Sequence, residues 1–368
     1  MPLRRIILTW ITTAQGGAEQ SVPELATQLA RLGVSVHVVW WRMGGPNYPG
    51  PGRLNVTRVD DFEAYRAALN YLTTEEGTVV ISSHRTAAVD VQISNSAPVL
   101  ATLRCIIDPA RSLRVVDPAS GELVERRHQD WPWHILSGVT SWVGISGAAA
   151  DAARHAFPPG TPVVAIPDGI AIPEVVPQAS RTDPTPFRIA AVARTVAWKR
   201  VDALVRAVAD PRLAPHVHLS VYGAAGRQDA EVRQLARALG APVSFNGWVK
   251  NLSEALVDHH IMASAAHLEG STRGLIHAAG AGIPAIAPSS GAGPEVVLNG
   301  LTGLVYDHTD PEGLINALLD ALHAGRLRLV RMGLSARALA DACYRPERCA
   351  AQYLQLAHHY NAEPSTAQ

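Results

Sequence analysis

The sequence predicts an α/β protein made of two doubly wound halves, each a parallel sheet with helices on its faces. Three observations predict it. Short apolar runs alternate with amphipathic helical stretches; a Pro-rich stretch at residues 171–186 divides the alternation in two; and 368 residues exceed one ordinary core but fit two of roughly 150 to 200 residues.

The first half opens with an apolar run at residues 5–11, a helical pattern at 18–32 stopped by Gly33, and a second run at 34–41. Strand, helix, strand in that order builds a parallel sheet. Runs at 79–82, 99–103, 142–146 and 163–166 read as further buried strands, and the N-terminal domain, residues 1–170, closes on Asp168-Gly169-Ile170. Residues 171–186, with Pro173, Pro177, Pro184 and Pro186, are the expected linker. The second domain, residues 187–344, continues with strands at 187–193, 218–223, 243–246 and 285–288 and helices at 200–209 and 229–239. A last amphipathic helix at 345–360 is expected to pack back toward the N-terminal domain, ahead of a disordered tail at 361–368.

Lys plus Arg and Asp plus Glu are 32 each, so the balance of charge favours neither nucleic acid nor an anionic membrane as partner, and a small molecule is expected. Cys105, Cys343 and Cys349 lack metal-ligand spacing and are odd in number, which suits buried thiols in a reducing cytoplasm. The basic, apolar start at residues 1–10 is too short for a signal peptide and lacks a cleavage site, and no run approaches the ~20 apolar residues of a membrane span.

Gly16-Gly17-Ala18-Glu19 sits where the first strand turns into the first helix, the place where such folds bring backbone amides to a ligand; a tight turn needing glycine explains it as well. There is no Gly-x-Gly-x-x-Gly, and the second strand ends Val39-Trp40-Trp41-Arg42 without a ribose-binding acid, which disfavours a nicotinamide oxidoreductase. Arg194 and Lys199 share the loop after the first strand of the second half, and can grip a diphosphate or merely form a solvated basic loop. Only Lys199 and Lys250 are lysines among the 32 basic residues, which favours a role for Lys199. In the segment His267 to His277, Ser271 or Thr272 can cap a helix running to about Ala281, and Glu269 lies just before that cap, where a carboxylate beside a phosphate needs work such as holding sugar hydroxyls.

These residues resemble family-4 retaining glycosyltransferases of GT-B fold, whose two Rossmann-like domains face a central cleft. The resemblance rests on Gly16-Gly17-Ala18-Glu19, Ile166-Pro167-Asp168-Gly169-Ile170, Ala193-Arg194 with Lys199-Arg200, Glu269-Gly270, Gly282-Ile283-Pro284, Gly293-Pro294-Glu295-Val296 and Gly300 to Val305, in that order and spacing. It implies that Gly16 and Gly17 approach the donor diphosphate or the acceptor, that Arg194 and Lys199 neutralise the leaving diphosphate, and that Glu269 holds the transferred sugar. It also implies donor contacts from Gly223, from the Ser271, Thr272, Arg273 and Gly274 amides, and from Glu295, with Trp248 and Val249 against the base.

Two departures stand out. The family places a second glutamate eight positions after Glu269 to hold the ribose, and this chain has His277 there; the histidine many relatives carry near the reacting sugar aligns with Arg104. An imidazole hydrogen-bonds a ribose more weakly than a carboxylate, and an arginine cannot act as a base at neutral pH. His84, ending the previous strand, is an alternative imidazole, structural or functional. Acceptor binding is expected of Glu19, His84, Asp108 and Trp131, the last two within an acid-rich segment at 108–133 that reads as a pocket wall, a lid or a surface excursion.

The resemblance implies transfer from a nucleotide-sugar with retention and without a metal or other cofactor, the two cations replacing the metal. UDP-sugars such as UDP-N-acetylglucosamine are the expected donors. A polar small molecule such as an aminocyclitol, as in antibiotic biosynthesis, is the expected acceptor. A nucleotide-sugar 2-epimerase of similar fold and a non-catalytic sugar-nucleotide binder are the alternatives.

Overall fold

The computed structural model describes residues 2–12, 17–42, 54–108, 110–174, 186–270 and 272–362. The chain divides into two compact units, Met1–Gly169 with Pro346–Gln368, and Ile170–Arg345.

The first unit begins β1 (Arg5–Thr12), α1 (Gly17–Arg31), β2 (Ser35–Arg42), β3 (Asn55–Val59), α2 (Phe62–Leu72), β4 (Thr78–Ser83), α3 (Ala87–Ile93) and β5 (Val99–Leu103). An insertion follows: β6 (Ser112–Val116) and β7 (Leu123–Arg127) pair as an antiparallel hairpin, then come a single 3-10 turn and α4 (Trp133–Leu136). The sheet resumes with β8 (Ser141–Gly144), α5 (Gly147–Ala156) and β9 (Val163–Ala165), in the strand order β3-β2-β1-β4-β5-β8-β9. All its pairings are parallel. A parallel sheet needs both faces covered, and alternate residues of β1 show it. Ile6 and Leu8 join one core cluster and Ile7 the other, the latter beside Tyr65 and Leu69 of α2. Each such side chain contributes about 1.5–3 kcal/mol.

The second unit contains β10 (Phe187–Val192), a 3-10 turn (Ala197–Lys199), α6 (Val201–Val208), β11 (Val217–Tyr222), α7 (Asp229–Leu239), β12 (Val243–Gly247) and α8 (Leu252–Leu256). It continues with β13 (Ile261–Ala263), α9 (Arg273–Gly280), β14 (Ala285–Pro288), α10 (Gly293–Val296), β15 (Gly303–Tyr306), α11 (Gly313–His323) and α12 (Arg326–Cys343). The order of its six strands is β12-β11-β10-β13-β14-β15, again parallel. Residues just after β9 already belong here: Ile170 and Ile172 lie in this unit's core, the Ile170 N–H donates to Tyr344 O at 2.9 Å, and Arg337 donates to Pro173 O. The remainder of the expected linker, 175–185, lies outside the described residues.

The last helix, α13 (Pro346–Ala362), is part of the first unit. Cys349, Ala350, Tyr353 and Ala357 form its buried stripe in the same cluster as Ile6, Leu8 and Leu100. Residues 363–368, expected to be a disordered tail, lie outside the described residues.

Candidate functional site

In a doubly wound sheet, ligands bind beyond the carboxyl ends of the strands where the strand order reverses. In the second unit that point falls between β10 and β13, which are neighbours although sequence places β11 and β12 between them. The loop after β10 carries Arg194 and Lys199; the loop after β13 carries Glu269. The topology therefore brings together side chains 70 residues apart, and Lys199 Nζ donates to Glu269 Oε2 in an ion pair whose side chains are 22% and 16% exposed.

The backbone around the pair is fixed from several sides. The His267 N–H donates to Trp198 O at 2.9 Å, which ties the two loops together. The Ala292 N–H donates to Glu269 O at 2.9 Å, and a Cβ on Gly291, whose φ is +63°, would lie 2.7 Å from the Glu269 nitrogen, so only glycine fits there. Of the four non-glycine residues with positive φ among the described residues, two flank the pair: Arg200 follows Lys199 and Leu268 precedes Glu269. Each such residue stores about 1–2 kcal/mol, and strain concentrated at one place marks a site whose geometry the surroundings dictate. On the other side of the β10 loop, the Thr195 hydroxyl accepts from the Gly226 N–H at 2.7 Å and donates to Asp229 Oδ1 at 3.1 Å. Sequence reasoning missed these supports, although Ser289-Ser290-Gly291 carried a turn signal.

Arg194 lies on the same loop, its guanidinium 6.0 Å from the Trp198 ring centroid, and makes no ion pair among the described residues. Gly223 follows β11 with φ +150°, and a Cβ there would lie 2.3 Å from Ala193 O, so the chain passes directly against the start of the Arg194 loop. Its N–H donates to Gly247 O at 2.8 Å, joining it to the loop that carries Trp248, which is 48% exposed, and Val249. Glu295 lies in α10, beyond Gly291 and Ala292, and its carbonyl accepts from the Tyr344 hydroxyl at 3.1 Å.

At α9 the geometry corrects one expectation. Thr272 is the residue before the helix, but its side chain makes no capping hydrogen bond; the helix itself ends at Gly280 with Ala281 as its C-cap, as expected. Ser271 lies outside the described residues. Arg273 is buried, and Gly274 is closely packed, because a Cβ there would lie 3.0 Å from both the Met262 and the Val192 side chains. His277 is half-buried on this helix, and its Nδ1 is buried without a hydrogen-bond partner among the described residues. Burial, and then the nearby Arg273 cation, lower its pKa to about 3, so the imidazole is neutral at any working pH.

In the first unit the order reverses between β1 and β4. Gly17 begins α1 there; Gly16 lies outside the described residues, and so does the Glu19 side chain. His84 follows β4, its N–H donating to Thr102 O at 2.9 Å and its Nδ1 buried without a partner among the described residues. Burial, then the Arg85 and Arg104 cations, hold its pKa near 3. Arg104, after β5, is bound to Asp168 at 3.1 and 3.3 Å, with the two side chains 13% and 8% exposed. Asp108 pairs with Arg111 at 3.3 Å and accepts from the Ala110 N–H at 2.9 Å. Trp131 is 4% exposed and stacks within an aromatic cluster with Trp133, Trp142 and Phe157, so it acts as core.

The two neutral imidazoles make acid stability testable. Their folded pKa lies near 3 against about 6.5 unfolded, so below pH 6.5 the unfolded chain binds protons that the native chain refuses. Each histidine should therefore weaken its own unit as pH falls, by about 2 kcal/mol at pH 5 relative to neutral pH. Burial depresses His37 and His259 in the same sense. Urea unfolding at pH 7.5 and pH 5 checks this, and His84→Asn and His277→Gln should each flatten the slope; equal stability at the two pH values contradicts it.

Residues 186–324 match the family model described as Glycosyl transferases group 1. Among curated relatives, the chain is 31% identical over 163 residues to a GDP-mannose-dependent alpha-(1-6)-phosphatidylinositol monomannoside mannosyltransferase of Mycolicibacterium smegmatis, covering 40% of this chain and 42% of that one. It is 32% identical over 171 residues to a GDP-mannose-dependent monoacylated alpha-(1-6)-phosphatidylinositol monomannoside mannosyltransferase of Corynebacterium glutamicum, covering 44% of each. The chain thus spans under half the length of the curated relatives it matches. Among solved structures, sucrose-phosphate synthase from Thermosynechococcus elongatus has a TM-score of 0.76 at 18% identity, covering 98% of this chain and 99% of that one. Anabaena HepE in complex with UDP and glucose has a TM-score of 0.74 at 16% identity, covering 95% and 98%. The second unit thus carries the match to the glycosyl transferases group 1 model, over residues 186–324, and the chain shares the two-sheet fold of these solved structures.

Proposed function

We propose that the protein is a retaining glycosyltransferase that moves a hexosyl group from a nucleoside-diphosphate sugar to a hydroxyl of an acceptor, with the donor held by the second unit. The observation that carries this reading is the Lys199–Glu269 pair at the reversal of strand order. A nucleotide-sugar offers both charges a better partner: the ammonium turns to the diphosphate, with Arg194 beside it, and the carboxylate accepts from sugar hydroxyls. The bond between the anomeric carbon and the phosphate oxygen breaks, the acceptor oxygen bonds the same carbon on the same face, and the acceptor proton passes to the leaving phosphate. Two cations carry the charge that a metal would otherwise carry, so the reading takes no metal.

The relatives that share sequence with the chain are named for GDP-mannose. That favours GDP-mannose as donor over UDP-N-acetylglucosamine. Those relatives act on phosphatidylinositol monomannoside, and an aminocyclitol is likewise a polyhydroxylated ring, so the proposed acceptor is such a ring, free or lipid-linked. Three cysteines, Cys105, Cys343 and Cys349, odd in number and without metal-ligand spacing, support a reducing, cytoplasmic setting.

Calorimetry against GDP-mannose, UDP-, ADP- and dTDP-sugars tests the reading: binding of one nucleotide class, weakened by Lys199→Ala, supports it, and binding of none removes it. His277→Glu should tighten that binding by about fivefold to tenfold, because a charge-assisted hydrogen bond to the ribose replaces a neutral one. Unchanged or weaker binding in that variant counts against His277 as the ribose contact.

A further inference from the structure

We infer that the outward face of α12 is a docking surface for an anionic lipid bilayer. On its inner side α12 buries Leu329, Met332, Ala336 and Ala340 in the core of the second unit. A helix with one face in the core ordinarily turns a polar face to water. Here Leu327 is 64% exposed and Leu334 is 53% exposed. With Arg331 and Ala338, also exposed, they recur at spacings of four, three and four residues, which is one stripe along a helix.

The stripe is bordered by cations. Arg326, Arg328 and Arg331 are exposed and make no ion pair among the described residues. No acidic residue occurs from Arg326 to Ala340; the first, Asp341, is taken by Arg337 at 2.7 Å and Arg345 at 2.5 Å. Leucines flanked by unpaired guanidinium groups match a bilayer surface: the apolar side chains enter the boundary below the headgroups while the guanidinium groups meet lipid phosphates. The chain's zero net charge does not oppose this, because such attraction acts within a Debye length of about 8–10 Å and the cations are gathered on one helix. A second copy meeting the same face about a two-fold axis would set arginines against arginines, which disfavours self-association there. No helix among the described residues is long and apolar enough to cross a membrane, so the contact is with the bilayer surface.

Co-sedimentation of the full chain with vesicles tests the proposal. It should bind vesicles made of equal phosphatidylcholine and phosphatidylglycerol, release at high salt, and ignore vesicles of phosphatidylcholine alone. Reversing Arg326, Arg328 and Arg331 together to Glu should lower the partition coefficient by about 100-fold. Leu327→Ser with Leu334→Ser should lower it by about tenfold. Both variants should keep the wild-type melting temperature, since every altered side chain is exposed. Absence of wild-type binding, or binding unaffected by either variant, overturns the proposal. So does a lipid-free dimer in sedimentation velocity that the same substitutions dissolve, which would assign the face to a second copy.

Discussion

Lys199→Ala should lower turnover by about 100- to 1000-fold while the second unit remains folded. A cation about 4 Å from the leaving diphosphate is worth at most ~4 kcal/mol at an effective dielectric near 20, and each ~1.4 kcal/mol is a factor of ten in rate. The charge grows on the leaving oxygen as the glycosidic bond breaks, so the ammonium acts more on the transition state than on the bound donor, and the loss should fall on kcat more than on KM. Lys199→Arg keeps the charge but replaces a compact ammonium with a planar fork, and should recover only part of the rate. Because Lys199 and Glu269 are paired, the double variant Lys199→Ala/Glu269→Ala should lose much less than the product of the two single losses. Single-turnover measurement with GDP-mannose and a polyhydroxylated acceptor reads all three; wild-type turnover in Lys199→Ala would remove the assignment of the donor site.

Most of the sheet strands were legible because buried parallel strands are continuous apolar runs, and 99–103 and 285–288 needed no correction. The elements that were not legible are short or half-exposed. β13 is three residues, β3 begins Asn55-Val56-Thr57-Arg58, and β7 of the hairpin ends Glu125-Arg126-Arg127 in a segment crowded with acids. The candidate site was legible residue by residue but not as a pair. The scarcity of lysine pointed to Lys199 and the likeness to a family pointed to Glu269, yet their contact depends on β10 lying beside β13, which no local pattern encodes. The same limit applies to Trp131. Among acids it reads as an acceptor contact, but Trp142 and Phe157, 11 and 26 residues further on, pack against it. His277 could be found by its spacing from Glu269, but its neutrality is a consequence of burial beside Arg273 and required the fold.

Arg104→Ala should destabilise the first unit by about 3–5 kcal/mol, because it removes one partner of a buried ion pair and leaves the other charged. The Asp168 side chain is 8% exposed and receives two hydrogen bonds from Arg104 Nη1, at 3.1 and 3.3 Å. Burial alone would pull the Arg104 pKa down; the Asp168 carboxylate, with Tyr353 and Cys349 of α13 close by, more than reverses it, so the guanidinium remains charged. Coulombic attraction in such a place mainly offsets the desolvation of both ions. The double variant Arg104→Met/Asp168→Leu should therefore regain most of the stability that the single variant loses. Urea unfolding of the two variants measures the difference, and a single-variant loss below about 1 kcal/mol would mean that water reaches Asp168 freely. The experiment also separates two roles for an arginine expected where family-4 glycosyltransferases carry a histidine near the reacting sugar. If Arg104 only holds Asp168, the double variant should transfer sugar at the wild-type rate per folded molecule. If the guanidinium also meets substrate, that variant should be stable and slow.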